Sequence, residues 1–240
     1  MIRNKYRTNF ALQHLQAAVR AARSAYEVEQ AKAPAEFGSW LDDMLLWVPV
    51  SVVMAAAALE ARANELIQDI LDDASKYSGL LLTGLSLTDR QKKELENIKA
   101  CESGNATDKY KQLAILFNKK PEAGRLPWQN AFHLVKFRNH FMHFKPSWDD
   151  DNIHNDDLVK WLKPKIPIVA AYKDNFLFPY GFMTYGCAKW SVETVLIFSR
   201  EFAELLGLKE DGFVFSNDVI EFMKLVGMKD LPPSRDFRLP

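Results

Sequence analysis

At 240 residues the chain can bury a sizeable core as one large domain, and it is 48% hydrophobic and 26% charged, as ordinary globular proteins are. Only 10 glycines and 11 prolines argue against a β-rich or low-complexity chain. Lysine plus arginine equals aspartate plus glutamate at 31 each, so a polyanion partner could be attracted only by a local patch.

Polar residues interrupt every apolar stretch before Phe37, which argues against a secretory signal. The first residues carry Arg3, Lys5, Arg7, Arg20 and Arg23 and no acid before Glu27. Helical patterning that continues through Tyr26 and Val28 favours a domain helix over a presequence. Apolar residues recur at helical spacing nearly everywhere, and no segment alternates with period two. The spacing predicts a first helix over 8–32 and a second from the Asp42–Asp43 region to about Lys76. Ser39 with Asp42 has capping-box spacing, and Pro49 predicts a kink or restart. Residues 50–59 are apolar on all sides, as the innermost helix of a bundle would be. The apolar run 44–59, broken by Pro49 and Ser51, is shorter than the roughly 20 residues a membrane span needs, so no membrane segment is expected.

Thr88 with Gln91 repeats the capping-box spacing and predicts a helix to about Ala100. Thr107 is expected to cap another, ending near Asn118. Lys119 to Pro127 reads as a basic loop bracketed by prolines. A helix from Trp128 must end before Pro146, because the residue before a proline avoids helical geometry. An acidic loop with Asp149, Asp150, Asp151, Asp156 and Asp157 precedes a helix from about Leu158. Residues 182–206 form a long amphipathic pattern closed by Gly207, and a short helix over 217–226 leads into a tail rich in proline. The expected architecture is an all-α, up-and-down multi-helix bundle in a single domain over 1–240. Its core covers about 40–207, with an added N-terminal helix and a C-terminal extension over 208–240.

One stretch carries chemistry: Phe137-Arg138-Asn139-His140-Phe141-Met142-His143-Phe144-Lys145-Pro146. Arginine is a permanent cation whose planar donor fork suits phosphate, and histidine exchanges protons near neutral pH. On a regular helix Asn139 and His143 share a face, whereas Arg138 lies about 140° around from His143 unless the helix ends between them. A helix C-terminus also favours an imidazolium through its negative dipole end. This set suits attack of an RNA 2′-hydroxyl on the adjacent phosphate. His143 would move a proton, Arg138 would bind the charged oxygens, and Asn139 would orient His143 or the substrate. One histidine cannot be acid and base at once, so either a second copy across a two-fold axis or His140 must supply the other group.

Between Lys119 and Lys145 the cations Lys119, Lys120, Arg125, Lys136, Arg138 and Lys145 face Glu122 alone, a local +5. The twelve residues that follow carry five aspartates and no cation, a local −5. Those aspartates lack the glycine and terminal glutamate of a calcium loop, and no cofactor or metal is expected. Cys101 and Cys187 form no C-x-x-C pair and read as two thiols in a reducing cytoplasm. Glu60, a charge directly after a very apolar run, either lies beside Arg138 or marks where the helix reaches solvent. Lys136, Lys145 and His140 are further candidates to line the site.

Arg138, Asn139 and His143 resemble, residue by residue, the Arg-polar-x-x-x-His signature of the HEPN superfamily. Leu59-Glu60-Ala61-Arg62-Ala63-Asn64-Glu65-Leu66 is similar to the helix that often precedes that signature. The resemblance spans about residues 50–206. It implies a metal-independent endoribonuclease acting on RNA as a homodimer with both motifs in one cleft. A stress or phage-defence setting follows from it, with a cognate inhibitor or antitoxin as a further partner. A non-catalytic module of the same fold, serving dimerisation or RNA or nucleotide binding, is the alternative.

Overall fold

The computed structural model describes residues 8–31, 38–72, 88–100, 105–145, 156–174, 176–208, 213, 215–229 and 231. Eight α-helices account for most of them: α1 (Ala11–Ala31), α2 (Trp40–Leu71), α3 (Asp89–Ala100), α4 (Ala106–Leu116), α5 (Leu126–Met142), α6 (Asp156–Leu162), α7 (Tyr185–Leu206) and α8 (Asn217–Leu225). No strand is present among the described residues. The all-α bundle expected from the apolar spacing is the fold.

Four helices build the bundle. α2 and α7 pack on each other, and each also packs on α1 and on α5. Directions follow from the contacts at their ends. Glu65, late in α2, accepts hydrogen bonds from the Phe10 and Ala11 amides at the start of α1 (2.6 and 2.8 Å). Ser51, early in α2, meets the Ala188 carbonyl, early in α7. Trp128 at the start of α5 packs edge-on to Phe198, late in α7, with ring centroids 5.0 Å apart. α1 and α5 therefore run one way, and α2 and α7 the other.

The first interface is built from small residues. Ala11, Ala18, Ala21, Ala22 and Ala25 on α1 are buried, as are Ala55, Ala56, Ala58 and Ala63 on α2. Without long side chains the two backbones approach closely. The buried Ser51 hydroxyl lies 3.0 Å from the Ala18 carbonyl and 3.4 Å from that of Ala188, tying α2 to both neighbours. The N-terminal helix thus shares the main core rather than being appended to it.

Three local expectations are corrected. α2 does not restart at Pro49 but runs unbroken through it, so the apolar run belongs to a 32-residue helix. A proline removes one donor, and packing on three neighbours outweighs that loss. By length and composition α2 is the one described helix able to cross a membrane, although it is also the helix that contacts every other bundle member. Ser39 makes no capping bond, because its backbone is already helical (φ −57°, ψ −18°) and its hydroxyl is not presented to the first turn. The cap of α4 is Asn105, whose side chain accepts from the Thr107 amide, so Thr107 sits inside the helix. The Thr88–Gln91 box does form: the Thr88 amide donates to Gln91 Oε1 at 3.0 Å and the Gln91 amide to Thr88 Oγ1 at 3.3 Å.

Gly207 ends α7 in the left-handed region at φ 72°, and a Cβ there would meet nothing within 4 Å. The conformation alone should therefore penalise an L-residue. Gly207→Ala is expected to cost about 1–2 kcal/mol in urea unfolding, with the helical content of the folded protein unchanged.

Candidate functional site at the end of α5

α5 starts with Pro127 in its first turn and ends at Met142. Its buried residues Trp128, Ala131, Leu134, Val135 and Phe137 seat it on α2 and α7. His143 leaves the helix (φ −118°, ψ 36°) while its amide still donates to the Asn139 carbonyl at 2.9 Å. The helix is regular up to that point, so it does not fray between Arg138 and His143.

The two motif residues accordingly diverge. Arg138 turns towards α2, where its Nη2 lies 3.0 Å from Glu60 Oε2, with side-chain exposures of 23% and 39%. Asn139 and His143 are exposed, one turn apart on the outward stripe that also holds Phe132 and Lys136. Glu60 takes the first of its two expected places, beside Arg138. A guanidinium has five N–H donors, and one contact to Glu60 leaves others for a second acceptor.

His140 is placed differently. Its ring packs edge-on to Phe178 (4.4 Å) and against Phe144 (5.8 Å), and its Nε2 is buried without a partner. Burial lowers its pKa from the usual value near 6.5. It is an aromatic-cluster histidine rather than a second group facing solvent beside His143. His133 stacks on Trp161 at 4.6 Å, and its pKa is lowered by burial and then by the nearby Lys136 and Lys165, against a raising effect from Asp157.

Both shifts have the same sign for stability. Each imidazole is protonated more readily in the unfolded chain, so folding binds fewer protons. Stability present above pH 6.5 should fall as the pH drops through that value towards the lower folded-state pKa. Urea unfolding at pH 7.5 and 5.5 should show the loss, and His140→Gln should reduce the difference.

The cationic patch is only partly free. Arg125 is paired with Glu122 (3.3 Å) and with Glu201 (2.7 Å). Lys119, Lys120, Lys136 and Lys145 are exposed, and Lys136 Nζ lies 4.8 Å from the centre of the Phe132 ring. Asp149, Asp150 and Asp151 lie outside the described residues, as do Cys101 and Trp148. Cys187 is buried with its thiol pKa raised by desolvation. Among the described residues no three His, Cys, Asp or Glu side chains gather closely enough to hold a metal ion.

The α2 segment before the motif helix is a set of anchors. Glu60 holds Arg138, Asn64 accepts from Lys109 Nζ at 2.9 Å, and Glu65 caps α1. Arg62 and Asp69 are both buried, 4.0 Å apart. Lys109 is only 6% exposed and reaches Asn64, one turn along α2 from Glu60, a burial that the residue spacing was not used to predict. The signal was present: Lys109 lies three residues after Ala106 and four before Leu113, on the buried stripe of α4. Comparison with protein-family models, with curated proteins and with solved structures finds no match for this chain.

Proposed function

We propose that the protein is a metal-independent endoribonuclease of HEPN type, working as a homodimer at the C-terminal end of α5. The observation that carries this reading is the arrangement at that end. An exposed imidazole and amide stand one turn apart, and a guanidinium is held in orientation by Glu60 one residue before them. In the proposed reaction the RNA 2′-oxygen attacks the adjacent phosphorus and the 5′-oxygen leaves, giving a 2′,3′-cyclic phosphate and a 5′-hydroxyl. His143 moves one of the two protons, and Arg138 binds the equatorial oxygens. His143 of a second copy handles the other proton.

Pairing is supported by apolar surface on the two helices that the Arg138–Glu60 contact joins. Leu46 (54%) and Val50 (37%) on α2 are exposed, as are Met142 (56%) and Phe144 (53%) around the end of α5. Isolated apolar residues are ordinary on a surface; several on adjoining elements suit a contact with another protein. Lys136 and Lys145, exposed on the last turns of α5 and just beyond it, offer phosphate contacts near the motif.

A second reading has an observation of its own. Arg138 faces a carboxylate on α2 and diverges from His143, as expected of a helical module that binds RNA or dimerises without cutting. One experiment separates the two. Purified protein in excess EDTA should cut single-stranded RNA, leave 2′,3′-cyclic or 3′-phosphate ends, and spare DNA of the same sequence. RNA that is bound but uncut makes the binding module the correct reading.

A further inference from the structure

A cavity of about 210 Å³ opens between the start of α4 and the first turns of α5, lined by Thr107, Lys111, Ala123, Trp128, Gln129 and Phe132. That volume suits a single heterocycle and falls below the roughly 300–1,000 Å³ of sites for larger organic ligands.

Its lining is mixed in a particular way. Phe132 contributes a half-buried ring, and Trp128, only 3% exposed, contributes no more than an edge. The inner side of Trp128 is packed edge-on to Phe198 and Phe202, which holds that ring in place. Thr107 is 1% exposed, and its hydroxyl has no hydrogen-bond partner. An unpaired buried hydroxyl costs free energy, and a ligand bearing both donors and acceptors would offset it. Gln129 adds an amide that can donate and accept, and Lys111 adds an ammonium that also meets Asp108 at 3.1 Å. A planar ring with polar edges and a nearby negative charge matches this lining.

The cavity is separate from the site but shares a helix with it, since no site residue lines it. Phe132 begins the outward stripe of α5 that continues through Lys136 and Asn139 to His143, about 16 Å along the helix. We infer that the cavity seats one nucleobase of an RNA whose backbone follows this stripe to His143, so that it selects the base a few nucleotides from the reacting phosphate. The identity of the occupant as RNA rests on the reading above; recognition of a base-bearing phosphate does not.

Calorimetric titration of the 240-residue chain with AMP, GMP, CMP, UMP and ribose 5-phosphate tests this without any cleavage assay. At least one nucleotide should bind tenfold or more tightly than ribose 5-phosphate, which lacks a base. Thr107→Val and Gln129→Leu should each weaken that binding by about tenfold, the loss expected for one hydrogen bond. Ala123→Phe, on the exposed loop at the rim, should abolish it by filling the space. Thermal melts establish that each variant is folded, and Gln129, only partly buried, keeps the test available if Thr107→Val does not fold. Equal binding of all five ligands, absence of saturable binding, or an unchanged Ala123→Phe would overturn the inference. Base-dependent binding in a protein that leaves RNA uncut would remove the cleavage reading and leave this site standing.

Discussion

His143→Ala is expected to lose roughly 10²–10⁴-fold in RNA cleavage, the usual contribution of a positioned proton-transfer group. The residue is exposed just past the last turn of α5 and builds no part of the core, so the variant should melt where the parent does. Arg138→Ala should lose a comparable factor through oxyanions left without their cation. Glu60→Gln separates two roles for Arg138. If Glu60 orients the guanidinium for phosphate, the amide variant should retain part of the activity and Glu60→Ala less. If the pair is only a clamp between α2 and α5, both variants should shift stability by the modest amount typical of a part-exposed ion pair, with binding of RNA unchanged. A His143→Ala protein that cuts as fast as the parent, or cleavage that needs added Mg²⁺, would sink the proposed mechanism.

The largest effect on stability is expected from Phe137→Ala. Phe137 is fully buried, with ring centroids 4.9 Å from Phe141, 5.9 Å from Phe178 and 6.0 Å from Phe182. Truncating such a ring costs about 3–5 kcal/mol, part in lost transfer free energy and part in the cavity left behind. A domain has only about 5–15 kcal/mol in total, so much of the folded state's margin would go. At roughly 2–4 °C per kcal/mol for a chain of this size, the melting temperature should fall by roughly 6–20 °C. Phe137 immediately precedes Arg138, and the same aromatic cluster holds His140. Cleavage by the remaining folded protein should therefore fall as well, because the last turn of α5 loses its seat. Phe137→Leu, which keeps more of the volume, should lose less of both.

Much of the molecule was legible along the chain because helices are short-range objects. Apolar recurrence located α1, α2, α5 and α7 to within a few residues, Gly207 marked the end of α7, and Pro146 marked how far α5 could extend. Local rules were weaker where burial competes with them. Pro49 did not interrupt α2, and Ser39 and Thr107 did not cap, because packing and the neighbouring Gly38 and Asn105 set the backbone there.

For the site, the sequence by itself determined which side chains occupy one helix end and the angles between them. Arg138 and His143 diverge because five residues on an intact helix turn through about 140°, and only the structure decided that the helix stays intact to Met142. The partners across the bundle were likewise decided by tertiary structure. Glu60 meets Arg138 from 78 positions away, Lys109 meets Asn64 across 45, and His140 turns into the Phe178 cluster. Spacing along one helix is set by local backbone geometry, whereas the neighbour facing each residue depends on how α2, α4, α5 and α7 pack their apolar faces together. That packing is a property of the whole chain, and no single segment specifies it.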